Sequence, residues 1–342
     1  MKTKRMTVTA AVTPTHPAIR EAAARLRAGE LVAFPTETVY GLGANGLSDA
    51  AARAVYAAKG RPSDNPLILH VDGRAMLDTV AAAVSPLEEA LMAAFWPGPL
   101  TLVFAKTAAV PAAVTGGGDT VAVRAPSHPV AAALITAAGV PIAAPSANRS
   151  GRPSPTDADM VMHDLDGRIP LILDAGPCTV GVESTVAACA DGRITIYRPG
   201  AVTAEMLSAY APVSIDPALT GSGVPKAPGM KYRHYSPSVP VTIWQGTGET
   251  VARALREDYR DDRGYFVSEE TAALLPAGAH TFIWGARADR QAMARSLYAA
   301  LTTLEGQPIT EISAEGVAAT DLGAAIMNRL VKAAGYRIKE VE

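Results

Sequence analysis

The chain has 342 residues, about twice the length of a typical domain, and this length predicts two domains. Its formal charge is −2, which excludes a protein that coats nucleic acid with a wholly basic surface. The two cysteines do not form a C-x-x-C pair, so no disulfide framework is expected. The sequence has neither a membrane-length apolar run nor the apolar core of a secretory leader, so we expect a cytoplasmic protein with no membrane attachment.

Strands and helices alternate through residues 1–211, which predicts an α/β domain over this range. The first helix is predicted at 16–28, because apolar residues recur on one face and Gly29 follows. Two further helices are predicted at 48–59 and 129–139. Strands are predicted at 31–34, 66–71, 100–106, 120–126, 140–148, 171–176, 184–190 and 194–200.

Residues 212–238 are predicted to be a linker, since they hold five prolines and three glycines. No acidic residue occurs between Asp216 and Glu249. The basic and aromatic residues of the linker are Lys226, Lys231, Tyr232, Arg233, His234 and Tyr235. This composition favours a lid at 226–236 over a passive tether. In 239–342 strands again alternate with helices, which predicts a smaller, mainly parallel, Rossmann-like domain.

Residues 41–46 match G-x-G-x-x-G, the fingerprint of dinucleotide-binding folds. That fingerprint needs its first glycine at the turn between a strand and a helix, so that the pyrophosphate meets the helix N-terminus. Here residues 35–40 separate Phe34 from Gly41, and they include Pro35, which cannot donate a hydrogen bond to a sheet. We therefore interpret the segment as a glycine-rich loop over a sheet edge, with NAD or FAD binding as the alternative.

Short polar motifs follow several predicted strands of the first domain, and in open α/β sheets ligand sites form where strand ends converge. Their basic side chains are Lys59, Arg61, Arg124, Arg149, Arg152 and Arg198. Their hydroxyl and amide side chains are Thr36, Asn65, Ser146, Asn148, Ser154 and Ser184. Such a mixture suits a polyphosphate together with a small carboxylate. The sequence has no G-x-x-x-x-G-K-[ST] segment, which excludes a P-loop.

Four motifs occur in a fixed order: FPTETVYGLGANG from 34, KGRPSDNPLILHV from 59, PSANRSGRPSPT from 145, and VESTV with IYRPG between 182 and 200. Together they resemble the YrdC-type threonylcarbamoyl-AMP synthases. The linker motif PGMKYRHYSP, followed by an α/β domain, is similar to the long, two-domain form of that family. The resemblance implies an α/β fold in which a twisted mixed sheet presents a concave, electropositive ligand face, followed by a smaller Rossmann-like domain.

The resemblance implies a reaction in which L-threonine, bicarbonate and ATP, accompanied by Mg²⁺, give L-threonylcarbamoyl-adenylate and pyrophosphate. It also implies that downstream tRNA threonylcarbamoyl-transfer proteins take the product to make N6-threonylcarbamoyladenosine, without stable nucleic-acid binding by this chain. A carbamate is already an anionic nucleophile, so the chemistry needs positioning and charge neutralisation more than a Ser/His/Asp triad.

The resemblance implies a role for each residue that lies at a functional position of the family's motifs. The implied threonine pocket consists of Thr36, His70, Arg124, Ala144 and Ser184, with Arg124 gripping the carboxylate. The implied ATP contacts are Lys59, Arg61, Asn65, Thr120, Ser146, Asn148, Ser154, Arg198, His234 and Tyr235, and Lys59 and Arg61 are also implied to be catalytic. At Ala144 the family often has a hydroxyl residue, so here only the backbone can bind threonine. Glu37 and Glu183 either orient basic side chains or help to hold Mg²⁺.

Two other functions are compatible with parts of the sequence. Carbamoyltransferases that share this domain add metal-binding domains with clusters of Cys and His, whereas this chain has two cysteines and six scattered histidines. An RNA-binding module could use a basic concave face, but the balanced charge and the lack of an RNP-like aromatic pattern argue against it.

Overall fold

The computed structural model describes residues 2–9, 12–217 and 234–342. The chain divides into two compact units. The first consists of Met1–Ser150, Pro155–Thr179 and Glu183–Lys231, and the second of Gly151–Ser154, Val180–Val182 and Tyr232–Glu342. Of the predicted lid, Lys226, Lys231 and Arg233 lie outside the described residues, whereas His234 and Tyr235 are described within the second unit.

The helices of the first unit include the three that the sequence predicts. They are α1 Pro17–Arg27, α2 Asp49–Lys59, α3 Arg74–Val80, α4 Pro86–Phe95, α5 Ala112–Thr115, α6 Pro129–Ala138, α7 Ala158–Leu165 and α8 Ala204–Ser208. Local chemistry sets the bounds of α2. The Ser48 side chain accepts a hydrogen bond from the Ala51 N–H at its start, and Gly60 ends it in the left-handed conformation with φ 62°.

The strands of the first unit form one mixed sheet. They are β1 Lys4–Thr7, β2 Val32–Phe34, β3 Gly41–Asn45, β4 Ile68–His70, β5 Leu100–Ala105, β6 Thr120–Arg124, β7 Ile142–Ala143, β8 Leu171–Asp174, β9 Thr185–Ala190, β10 Arg193–Arg198 and β11 Val213–Ile215. Their order is β1-β8-β2-β3-β7-β4-β6-β5-β9-β10-β11. β4 is parallel to β6 and β5 is antiparallel to β6, so the predicted mixed α/β sheet is confirmed.

The interpretation of residues 41–46 as a loop is wrong, because β3 lies inside the sheet between β2 and β7. The glycine at 43 permits close packing: a Cβ there would lie 2.8 Å from the Phe34 ring. Gly41 begins a strand, whereas the dinucleotide fingerprint requires its first glycine at a strand-to-helix turn. The match to that fingerprint therefore has no structural counterpart.

The central strands of this sheet are buried on both faces, as β2 illustrates. Val32 and Phe34 pack in one hydrophobic core together with Ile19 of α1 and Leu134 of α6. The intervening Ala33 belongs to a second core, because successive side chains of a strand point to opposite faces. Burial on both faces makes the sheet a rigid support for the polar loops that leave it.

The second unit contains a five-stranded sheet of order β14-β13-β15-β12-β16, in which every described pair is parallel. Its strands are β12 Val241–Gln245, β13 Arg263–Val267, β14 His280–Ile283, β15 Glu311–Glu315 and β16 Ile338–Glu340. Its helices are α9 Gly248–Glu257, α10 Glu269–Ala272, α11 Arg290–Glu305 and α12 Leu322–Ala333. The predicted parallel, Rossmann-like sheet is confirmed. In the described part of the chain, no helix has the length and apolarity needed to cross a bilayer.

Candidate active site

One edge of the first sheet gathers most of the residues implied for the threonine pocket. The strand neighbours are β4, β6, β5, β9 and β10. Their pairing directions bring the ends of β4, β6 and β10 to the edge where β5 and β9 start. His70, Arg124 and Arg198 end their strands there, and Ser184 immediately precedes β9. We call this edge, defined by these four residues, the pocket edge.

The Arg124 guanidinium is held from three sides. Its Nε donates to the Gly98 carbonyl at 3.1 Å and its Nη1 donates to Thr38 Oγ1 at 2.8 Å. Its Nη2 lies 2.5 Å from Glu37 Oε1, and both side chains are buried. Of the two roles left open for Glu37, the one visible in this geometry is the orientation of a basic side chain.

Several buried polar atoms around Arg124 lack a well-aligned hydrogen-bond partner among the described residues. They are both carboxylate oxygens of Glu37, Nη2 of Arg124 and Nδ1 of His70. Glu37 and Arg124 are close enough to be an ion pair, but the contact does not have the alignment of a hydrogen bond. Buried polar atoms are usually hydrogen-bonded, and unsatisfied ones are costly. This cluster is therefore prepared to bind a small polar molecule.

Burial and charge decide the ionisation of the groups in this cluster. Burial lowers the pKa of His70 to about 3, with a further contribution from the positive charge of Arg124, so the imidazole is neutral at pH 7. Burial raises the pKa of Glu37, but the charge of Arg124 and contacts with Arg124 and backbone N–H groups together outweigh it, and the net shift is downward. The site thus combines a fixed cation, a fixed anion and a neutral ring.

Thr36 shapes the loop that carries Glu37. Its Oγ1 donates to the Val39 carbonyl at 2.7 Å and accepts from the Thr38 and Val39 N–H groups. The residue of this loop that contacts Arg124 through a hydroxyl is instead Thr38. Thr38 belongs to the motif FPTETVYGLGANG, but the sequence does not show whether Thr36 or Thr38 contacts Arg124.

Ser184 lies between two other side chains of the sheet. Its Oγ is 2.7 Å from Thr101 Oγ1 and accepts from Arg198 Nη2 at 3.1 Å. Arg198 Nε also donates to the Ser184 carbonyl at 3.1 Å. The resemblance implies an ATP contact for Arg198, whereas these bonds tie it to a residue of the implied threonine pocket. Thr101 was missed by sequence reasoning, and its only signal is a polar residue within an apolar strand.

A second cluster gathers the implied ATP residues Lys59, Ser146 and Asn148. The Lys59 Nζ donates to the Ser146 carbonyl, to the Asn148 carbonyl at 2.5 Å and to Asn148 Oδ1 at 3.3 Å. Ser146 Oγ in turn donates to Asn148 Oδ1 at 2.5 Å. Burial lowers the pKa of Lys59, and nearby Arg61 lowers it further. Here the buried amine supports the loop after β7 rather than projecting as an isolated cation.

The loop before β4 holds two further residues implied for ATP binding. Arg61 folds over this loop, with Nε donating to the Asn65 carbonyl at 3.2 Å and Nη2 to the Pro66 carbonyl at 3.0 Å. Asn65 itself is buried. Thr120 starts β6 and is exposed, and the pairing of β4 with β6 places it at the same end of these strands as this loop.

Ala144 and Glu183 are both buried in the first unit. The Ala144 N–H donates to the Ile68 carbonyl at 2.9 Å. Because this N–H is already bonded, only the Ala144 carbonyl can make the expected backbone contact with threonine. The role of Glu183 stays a prediction.

The remaining implied residues belong to the second unit. Ser154 is buried there. Tyr235 has φ 64° and is also buried. Its ring centroid lies 5.4 Å from that of Tyr298 in α11 and 5.5 Å from that of His234. Their implied contacts with ATP stay predictions.

The described residues supply no protein cage for Mg²⁺. Among them, no group of three or more His, Cys, Asp and Glu side chains is arranged to hold a metal ion. Glu37 is paired with Arg124, and the parts of Glu37 and Glu183 in holding Mg²⁺ stay predictions.

Comparison with known families covers nearly the whole chain. Residues 24–200 match the Sua5_yciO_yrdC model, described as telomere recombination. Residues 202–335 match the Sua5_C model, described as the threonylcarbamoyl-AMP synthase C-terminal domain.

Relatives over the full length carry the same name. Threonylcarbamoyl-AMP synthase of Bacillus subtilis is 46% identical over 99% of both chains. Its namesake of Pyrococcus abyssi is 44% identical over 94% of this chain and 96% of its own. The crystal structure of P. abyssi Sua5 complexed with L-threonine superposes with a TM-score of 0.91 at 42% identity, covering 99% of this chain and 100% of that one. This chain belongs to the threonylcarbamoyl-AMP synthase family, in its two-domain form.

Proposed function

We propose that this chain makes L-threonylcarbamoyl-adenylate and pyrophosphate from L-threonine, bicarbonate and ATP, for threonylcarbamoyladenosine modification of tRNA. The observation that carries the proposal is the buried cluster of Arg124, Glu37 and His70, whose polar atoms lack aligned partners. The threonine complex of the P. abyssi relative supports an amino acid as its ligand.

Arg124 is the group that binds the threonine carboxylate. A guanidinium can hold a carboxylate through two hydrogen bonds, and such bonds are strong when water is excluded. Nε and Nη1 already have protein partners, which fixes the plane of the guanidinium before substrate arrives. Glu37 balances the charge of Arg124 in the free protein. The neutral His70 ring offers Nδ1 as a further hydrogen-bonding atom for the substrate.

The chemical step joins two anions. The threonine amine attacks CO₂ derived from bicarbonate, and the nitrogen loses a proton, which gives a carbamate. A carbamate oxygen then forms a bond to the α-phosphorus of ATP while the bond from that phosphorus to the pyrophosphate oxygen breaks. The protein contributes position and positive charge, since anions repel one another and no covalent enzyme intermediate is required.

The loop after β7 forms the nucleotide side of the site. Lys59 fixes the carbonyls of Ser146 and Asn148, and this pre-shapes the loop for the triphosphate. Arg61 supplies positive charge from the loop before β4. We propose that Mg²⁺ enters with ATP, bound by phosphate oxygens and water, where it neutralises phosphate charge.

Pyrophosphate release tests this function. The purified chain is incubated with ATP, Mg²⁺, bicarbonate and threonine, and each component is omitted in turn. Release should require both threonine and bicarbonate. Turnover that persists after bicarbonate has been stripped contradicts a carbamate route. Turnover with carbamoyl phosphate replacing threonine and bicarbonate favours the carbamoyltransferase alternative.

A further inference from the structure

Thr101 is a fully buried hydroxyl residue inside an otherwise apolar strand. Its neighbours in β5, Leu100 and Leu102, are fully buried as well. A buried hydroxyl without a partner costs free energy, so a threonine at this position needs a hydrogen bond. Among the described residues its side chain has one such partner, the Ser184 hydroxyl at 2.7 Å.

The backbone ties this pair to the Arg124 end of the pocket edge. Arg124 Nε donates to the Gly98 carbonyl, and the Thr185 N–H donates to the carbonyl of the next residue, Pro99. The short segment before β5 therefore connects the guanidinium of Arg124 with the residue that follows Ser184. One end of this connection, Arg124, belongs to the implied threonine pocket, and the other end, Thr185, is the chain neighbour of Ser184 in that pocket.

This hydrogen bond can run in either direction, and counting donors and acceptors shows which proton each direction leaves without an acceptor. A hydroxyl has one proton and two lone pairs. If Ser184 donated to Thr101, the Thr101 proton would be buried without an acceptor among the described residues. If Thr101 donates, its proton is satisfied, and the proton left without an acceptor among the described residues is that of Ser184, at the pocket edge. Ser184 Oγ then accepts two hydrogen bonds, one from Thr101 and one from Arg198 Nη2.

In this second arrangement both lone pairs of Ser184 are occupied, so Ser184 can only donate, and its proton can serve a ligand of the implied threonine pocket. We propose that Thr101 is a positioning residue that turns the Ser184 proton toward an anionic oxygen of the amino-acid substrate, an inference that rests on the proposed function. The oxygen belongs either to the carboxylate of threonine or to the carbamate formed from it. Both oxygens are hydrogen-bond acceptors. A Ser184 hydroxyl that can only donate would not bind a cationic or donor group of the substrate.

The test uses three substitutions of similar size. Thr101→Val removes the hydroxyl while keeping the shape, and Thr101→Ser keeps the hydroxyl. Thr185→Val is the control, because its buried hydroxyl bonds the Val202 carbonyl instead of Ser184. Threonine affinity is measured by calorimetry without ATP, and kcat/KM for threonine by pyrophosphate release. Melting temperatures report folding separately.

We expect Thr101→Val to lower kcat/KM for threonine roughly fivefold, the scale of one hydrogen bond, with the KM for ATP unchanged. Thr101→Ser should restore at least half of the activity, and Thr185→Val should alter stability alone. If calorimetry shows a matching loss of threonine affinity, the oxygen that Ser184 contacts belongs to the carboxylate. If only kcat/KM falls, that oxygen belongs to the carbamate. In a Ser184→Ala background Thr101→Val should have no further effect.

The proposal is overturned if Thr101→Val matches the wild type in both assays, or if its effect persists undiminished in the Ser184→Ala background. Failure of the proposed function looks different, because the wild-type chain itself would then release no threonine-dependent pyrophosphate. In that case calorimetry of the same variants still decides whether Thr101 acts through Ser184 on a bound amino acid.

Discussion

Arg124 and Glu37 form a buried ion pair, with Nη2 of the arginine 2.5 Å from Oε1 of the glutamate. The pair joins the end of β6 to the loop after β2. Removing one partner of a buried pair is strongly destabilising, because the other charge is left uncompensated. The relationship therefore links the stability of the free protein to the binding of an anionic substrate group.

Glu37→Gln should lower the free energy of unfolding by about 3 kcal/mol, since it leaves the buried Arg124 charge without its counterion. A threonine carboxylate can replace that counterion, so threonine should raise the melting temperature of this variant more than that of the wild type. Thermal unfolding with and without threonine measures both effects. Glu30→Gln, which breaks an exposed pair with Arg25, is the control. Equal threonine shifts in Glu37→Gln and the wild type would contradict the account.

Arg124→Ala should weaken threonine binding roughly 10- to 150-fold, which corresponds to the loss of a charge-assisted hydrogen bond worth about 1.5–3 kcal/mol. ATP affinity should change much less, because the implied nucleotide residues Ser146 and Asn148 form a separate cluster around Lys59. Calorimetric titration with each ligand makes the comparison. Equal losses for the two ligands would show that Arg124 is structural or belongs to the nucleotide site.

His70 makes stability depend on pH. Its pKa is lowered from 6.5 to about 3 in the folded protein, so between these values the unfolded chain binds the extra proton. The stability that this group contributes is fully present above pH 6.5 and is lost as the pH falls toward 3, by about 1.4 kcal/mol per pH unit. Urea unfolding at pH 7 and pH 5 measures the slope.

A substitution separates His70 from the other acid-sensitive groups. In His70→Gln the fall in stability between pH 7 and pH 5 should be smaller than in the wild type. The control is His163→Gln, because the side chain of His163, in α7, is 63% exposed. An unchanged slope in His70→Gln would show that the buried imidazole does not control the acid response.

Lys59→Met should raise the KM for ATP several-fold and lower the melting temperature. It leaves the Ser146 and Asn148 oxygens without their donor, at a cost of about 1–3 kcal/mol. Arg53→Ala is the matched control, because Arg53 lies on the exposed face of the same helix, α2. Steady-state kinetics and thermal unfolding give the two readouts. A normal KM for ATP in a destabilised Lys59→Met protein would limit Lys59 to a structural role.

Two substitutions of Tyr235 test its packing and its contact with ATP separately. Tyr235→Ala should destabilise the second unit by about 3 kcal/mol, because the ring is buried against Tyr298. Tyr235→Phe keeps this packing and removes only the hydroxyl. If Tyr235 meets the nucleotide through its hydroxyl, Tyr235→Phe should raise the KM for ATP with little change in melting temperature. A wild-type KM in Tyr235→Phe would assign the residue to packing alone.

Periodic patterns in the sequence predict the elements that local rules control. α1, α2 and α6 have caps or terminal glycines, and their predicted bounds agree with the structure to within a residue or two. The sequence does not predict β3, because glycines are poor strand formers and the close approach of Phe34 that favours glycine at position 43 is a tertiary contact. Such a tertiary contact leaves no periodic signal in the sequence.

The site shows the same division between residue type and geometry. Motifs pointed to Arg124 and Ser184 because a charged residue ends one apolar strand and a hydroxyl residue lies at the start of another. They did not reveal Thr101, whose importance depends on which strand lies beside β9. Nor did they show that Lys59 bonds backbone carbonyls, since that requires the fold of the loop after β7.

The most direct test of the central claim is the fate of labelled carbon in the product. The chain is incubated with ATP, Mg²⁺, threonine and ¹³C-bicarbonate, and the adenylate is examined by mass spectrometry. A single ¹³C atom should appear in an adenylate that contains both threonine and the carbamoyl carbon, and Arg124→Ala should lose this product at limiting threonine. An unlabelled threonyl-adenylate, or no adenylate from an active, folded protein, would contradict the account.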